Sequence, residues 1–70
     1  MMNRVMLGIQ GVESFDQMNK VAEALSKQQG VLKAEVQQIG QVVVEYDPHR
    51  LTVMDLIRTV REEGFLAGML

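Results

Sequence analysis

The chain has no cysteine in its seventy residues, which excludes disulfides, thiolate metal ligation and thiol nucleophiles, and leaves the redox compartment unreadable from cysteine pairing. Blocks of like charge are also missing: 7 Lys and Arg and 9 Asp and Glu are interspersed along the chain, for a net charge of −2. That leaves no electrostatic footprint for nucleic acid and no polybasic patch for a membrane surface. Long hydrophobic runs are absent too. The start, Met1 to Gly8, has one basic residue and an apolar run too short for a signal peptide. No stretch approaches the ~20 residues that span a bilayer. These absences predict a soluble, cytoplasmic protein without nucleic-acid or membrane partners. What is present is an apolar content of 47%, enough for one domain over residues 1–70, near the lower size at which a core sustains a fold.

Apolar periodicity divides the chain into six segments. Val5, Leu7 and Ile9 alternate with Arg4, Met6 and Gly8 from Asn3 to Gln10, the pattern of a strand with one buried face, and Gly11 ends it. From Ser14 to Gln28, Phe15, Met18, Val21, Ala22 and Leu25 recur at steps of three and four, a helical stripe opposed by Asp16, Lys20, Glu23 and Lys27. Gly30 suits the C-terminal cap of that helix. A second strand is expected from Val31 to Gln37, with Leu32, Ala34 and Val36 on one face and Lys33 and Glu35 on the other. Ile39-Gly40 then turns into a third strand, Gln41 to Tyr46, with Val42, Val44 and Tyr46 inward, and Asp47-Pro48 breaks it. Thr52 caps the next helix with Asp55 as its capping partner, Val53, Leu56, Ile57 and Val60 form its stripe, and Gly64 closes it. The apolar segment Phe65 to Leu70 is a final strand.

The order is βαββαβ. Each helix has a single apolar stripe to bury. Two right-handed crossovers that place both helices on one face of a four-stranded antiparallel sheet give the ferredoxin-like sandwich of the α+β class. In that arrangement the second and fourth strands are the sheet edges. The second carries Lys33 and Glu35, the kind of charge that discourages edge pairing, whereas Phe65 to Leu70 carries none. The fourth edge is therefore expected to pair with another protein domain or a second copy, or to be covered by the N-terminal residues.

No catalytic constellation emerges. Gly8-Ile9-Gln10-Gly11-Val12 looks like the anion-cradling loop of acylphosphatases, which share this order of elements, but that chemistry needs an arginine just after the loop. Asp16 is found there, and an acid repels the substrate. Ser14 and Ser26 lack a nearby base, and Glu62-Glu63 ends a helix on a solvated face. The expectation is a protein that is not an enzyme. Ser14 and Gln17 have the spacing of a capping box, with the Ser14 hydroxyl accepting from the Gln17 N–H and the Gln17 side chain returning to the Ser14 N–H.

From Val5 to Ala67 the sequence resembles the heavy-metal-associated domain of copper chaperones and metal-pumping ATPases. The residues that carry the likeness are Gly11-Val12-Glu13-Ser14-Phe15-Asp16-Gln17, Val21, Ala24-Leu25, Gly30-Val31, Val44-Glu45-Tyr46-Asp47-Pro48 and Gly64-Phe65. The resemblance implies a metal loop at Gly11 to Gln17 with two cysteines at the positions of Ser14 and Gln17, holding a soft ion such as Cu(I). A hydroxyl and a carboxamide are poor ligands for such an ion. It also implies that Phe65 shields this loop and makes, with Gly11, Val12 and Glu13, the tip through which family members meet partner domains. The expected function is a protein-interaction or regulatory module linked to metal handling, without cofactor. The alternative is a weak Cu(I) site built from Met1, Met2, Met6 or His49. Of the six methionines, Met18 and Met54 lie on or beside helical stripes, where methionine fills core gaps, and Met69 ends an apolar strand.

Overall fold

The structure, a computed structural model, describes residues Met1 to Leu70. The elements are β1 (Asn3–Gln10), α1 (Phe15–Lys27), β2 (Val31–Gln38), β3 (Gln41–Tyr46), α2 (Val53–Glu62) and β4 (Leu66–Met69). The sheet runs β2-β3-β1-β4 with every neighbouring pair antiparallel, and both helices cover one face. The expected ferredoxin-like βαββαβ sandwich is the fold observed.

Its core is the sum of the predicted stripes. Val5, Leu7 and Ile9 from β1 and Val42, Val44 and Tyr46 from β3 meet Met18, Val21 and Leu25 of α1 and Leu56 and Val60 of α2, with Leu51 closing the lower end. Val43 is also buried, although it faces away from the helices. On that open face it lies in register between Met6 of β1 and Glu35 of β2, and an inner strand has neighbours on both sides to cover it. Loops at the two ends of the sheet are set apart by topology. The loop after β1, the β2–β3 hairpin and the α2–β4 junction share one end; the Asp47 to Leu51 loop and the chain's first residues share the other.

Several sequence expectations fail at element ends. Phe15 stands at the first helical position, beyond the end of the sheet, and is 56% exposed rather than part of the α1 core stripe. A register irregularity between Val31 and Lys33 turns Leu32 outward, so the helix-facing residues of β2 are Val31, Ala34 and Val36. Met54, in the first turn of α2, is exposed. Gly30 is not the α1 cap: Gln28 is, and Gly30, at φ 100°, lies in a turn closed by the Val31 N–H donating to the Gln28 carbonyl. Phe65 precedes β4 instead of opening it. The N-terminal residues do not cover the β4 edge, because Asn3 and Arg4 pair with β3 and Met1 and Met2 are exposed.

Candidate functional site

The loop that leaves β1 is shaped by Gly11, whose φ of 95° an L side chain rarely adopts. It leads to Ser14, the extended N-cap of α1, whose Oγ accepts from the Gln17 N–H at 3.2 Å. The return bond differs from the expected capping box. Gln17 Oε1 accepts from the Glu13 N–H at 2.6 Å, one residue before the cap. At α2 the shorter Asp55 accepts from the Thr52 N–H itself at 2.8 Å, and the box is complete. The extra methylene of glutamine lets it span the additional residue. Ser14 and Gln17, the two positions to which the sequence resemblance assigns cysteines, are thus engaged in closing the helix start.

Phe65 reaches this loop from the other side. The last turn of α2 ends in a Schellman motif: the Gly64 N–H donates to the Arg61 carbonyl at 2.9 Å and the Phe65 N–H to the Val60 carbonyl at 3.4 Å, with Gly64 at φ 98°. The motif lays the Phe65 ring beside Gly11, with Cδ1 3.4 Å from where a Cβ on that glycine would stand. Phe65 and Val12 are half-buried and packed on the core. The structure therefore brings Gly11, Val12, Glu13, Ser14, Gln17 and Phe65 to one end of the sheet. Phe15, which the helical spacing had assigned to the core, is an exposed apolar side chain at this end. A signal was available, since the residue directly after an N-cap lies at the rim of its helix.

The methionines and His49 are not gathered there. Met18 is fully buried and its Sδ accepts from the Gly40 N–H at 3.3 Å, tying α1 to the β2–β3 hairpin. Gly40 in turn accepts from the Ile9 N–H at 2.7 Å, so one glycine links α1, β1 and the hairpin. Met6 lies on the open sheet face opposite Val43, Met69 pairs with Leu7 on the other face, and Met1 and Met2 precede β1. His49 is at the far end, in a loop where its N–H donates to Asp47 Oδ1 at 2.9 Å. No three His, Asp or Glu side chains cluster as a metal ion would require. A neutral hydroxyl and a carboxamide, both already accepting hydrogen bonds, do not fit a soft metal ion.

No helix is long and apolar enough to cross a membrane. No protein-family model matches the chain, and no curated protein matches it significantly. Solved structures do. A copper binding domain from HMA7, a P-type ATPase, is 28% identical, with 96% of this chain and 92% of that one covered and a TM-score of 0.88. Oxidized MerP from Ralstonia metallidurans CH34 is 26% identical over 99% and 97% of the two chains, with a TM-score of 0.91. The N-terminal domain of a potential copper-translocating P-type ATPase from Bacillus subtilis, in its Cu(I)-loaded state, is 27% identical over 99% and 88%, with a TM-score of 0.88. The chain thus has the ferredoxin-like fold of these structures, and it contains no cysteine.

Proposed function

We propose that residues 1–70 act as one heavy-metal-associated-like domain that has no thiolate site, is not an enzyme, and serves metal handling through protein contacts. One observation supports the reading: Ser14 and Gln17 close the α1 start by hydrogen bonds, while Phe65 lies beside Gly11 in the loop that the resemblance reads as a metal loop. A scaffold kept with its ligand positions turned to capping suits docking without transfer. The docking surface is the tip formed by Gly11, Val12, Glu13 and Phe65, to which the exposed Phe15 adds the largest apolar contact. Glu13 and Asp16 beside it favour a partner with basic residues around an apolar centre. The β4 edge is a second contact surface.

A weak Cu(I) site at Met1, Met2, Met6 or His49 draws less support: Met1, Met2 and His49 share the end of the sheet opposite the tip, but no three His, Asp or Glu side chains cluster there, and Met6 lies apart on the open sheet face opposite Val43. The test is an NMR titration of the labelled chain with metal-binding domains of copper-transporting ATPases and with metallochaperones. Association should shift amide signals from Gly11 to Phe15 and at Phe65. Absence of association with all of them would overturn the metal-handling link.

A further inference from the structure

The two edges of the sheet are not equivalent. β2 has register irregularities at both ends and a Lys33–Glu35 ion pair at 3.4 Å, features that discourage strand addition. β4 is regular along its pairing with β1 and has no charged residue. The Leu70 N–H donates to the Met6 carbonyl, so Leu70, Gly68 and Leu66 turn their backbone groups toward β1. By the alternation of an antiparallel strand, Ala67 and Met69 turn theirs outward, where the structure gives them no partner. Phe65 has the same outward parity, but its N–H is engaged with Val60.

We propose that β4 pairs antiparallel with β4 of a second copy about a two-fold axis through Gly68, joining two sheets into one of eight strands. This rests on the reading of the chain as a protein-contact module but not on what its loop tip docks. The free groups select the register. With Gly68 facing Gly68, Ala67 of each copy exchanges hydrogen bonds with Met69 of the other, and every free N–H and C=O of β4 is satisfied. A shift of two residues toward Phe65 would call on an N–H already engaged, and a shift the other way would leave Ala67 unpaired.

Side-chain sizes agree with this register. On the open face Leu66 meets Leu70 of the other copy on either side of a glycine-floored trough, since Gly8 lies opposite Gly68 and Leu70 covers Gly8. An open depression of 390 Å³ lies here, lined by Gly8, Gly68, Leu66 and Leu70 among others. On the helix face the long Met69 meets the small Ala67. Leu66, Met69 and Leu70 are all more than half exposed in the single chain, so pairing removes apolar surface from water. A stable dimer buries about 800 Å² per partner, a large share of this chain's 4432 Å². A four-residue edge with one flanking leucine, Leu70, supplies less, so the dimer forms at high concentration and dissociates on dilution.

The test is sedimentation equilibrium from low micromolar to millimolar chain. The expected mass rises from monomer toward twice that value, with Ala67 and Met69 amide protons gaining exchange protection in parallel. L66E should remove the association, because its carboxylate faces Leu70 across the axis. The double variant L66E/L70K should restore it, since opposite charges then face each other in both copies. Circular dichroism verifies that each variant is folded. A monomer throughout, a dimer that survives L66E, or a folded double variant that fails to reassociate would each overturn the proposal. None of these outcomes alters metal binding or docking at the loop tip, so failure here leaves the functional reading separately testable.

Discussion

Helices α1 and α2 start on the same plan with different anchors. Each has a hydroxyl N-cap, Ser14 or Thr52, and a fully buried residue at the fourth helical position, Met18 or Leu56. Before α2 stands Leu51, buried in the same cluster as Leu56, the arrangement of a hydrophobic staple, and the Thr52–Asp55 capping box is complete. Before α1 stands the exposed Glu13, with no apolar residue to staple, and the side chain of Gln17 reaches past the cap to its N–H. The α2 start is therefore held by packing outside the helix and the α1 start by hydrogen bonds around a glycine-bent loop. The difference teaches that the α1 start does without an apolar residue directly before its cap, its loop resting instead on Val12 and Phe65, which pack on the core further from the helix.

The strongest blow to either start falls at the fourth helical position. Met18→Ala and Leu56→Ala should each cost roughly 2–5 kcal/mol in urea unfolding. The Met18 variant should lie high in that range because it also leaves the Gly40 N–H without its sulfur acceptor. A markedly milder Met18 variant would break the claim that α1 is anchored there. Next come the caps: Thr52→Ala and Ser14→Ala should each cost about 1 kcal/mol, and equal losses would show that the difference between the starts lies outside the caps. The finest distinction is in coupling. A double-mutant cycle on Thr52 and Asp55 should give an interaction energy of about 0.5 kcal/mol or more, while one on Ser14 and Gln17 should give less, because Gln17 keeps its bond to Glu13 when the Ser14 hydroxyl is gone.

Most of the fold was legible because its stripes are long and regular. The β1 alternation and the Val21–Leu25 and Leu56–Val60 spacings fix which faces are buried, and the Phe65 to Leu70 segment announces an uncharged edge. Misreadings fall where periodicity meets an end or an irregularity. Phe15 continues the α1 spacing past the end of the sheet it would pack on, and Leu32 is turned out by a strand irregularity that no pattern of residue types marks. At the site, the Ser14 cap follows from residue type and spacing. The Gln17 bond to Glu13 does not, because it depends on the path the loop takes after Gly11. The Met18–Gly40 contact joins residues 22 positions apart and is set by tertiary packing alone.

An anaerobic Cu(I) competition titration against a chromophoric chelator, comparing the natural chain with S14C/Q17C, tests the central claim most directly. The account predicts that the natural chain leaves the chelator loaded while the double variant withdraws the ion, because only the variant has two thiolates at the retained loop. Withdrawal by both would show a site elsewhere in the fold, and withdrawal by neither would show that the loop no longer has a carrier's shape; either result would contradict the account.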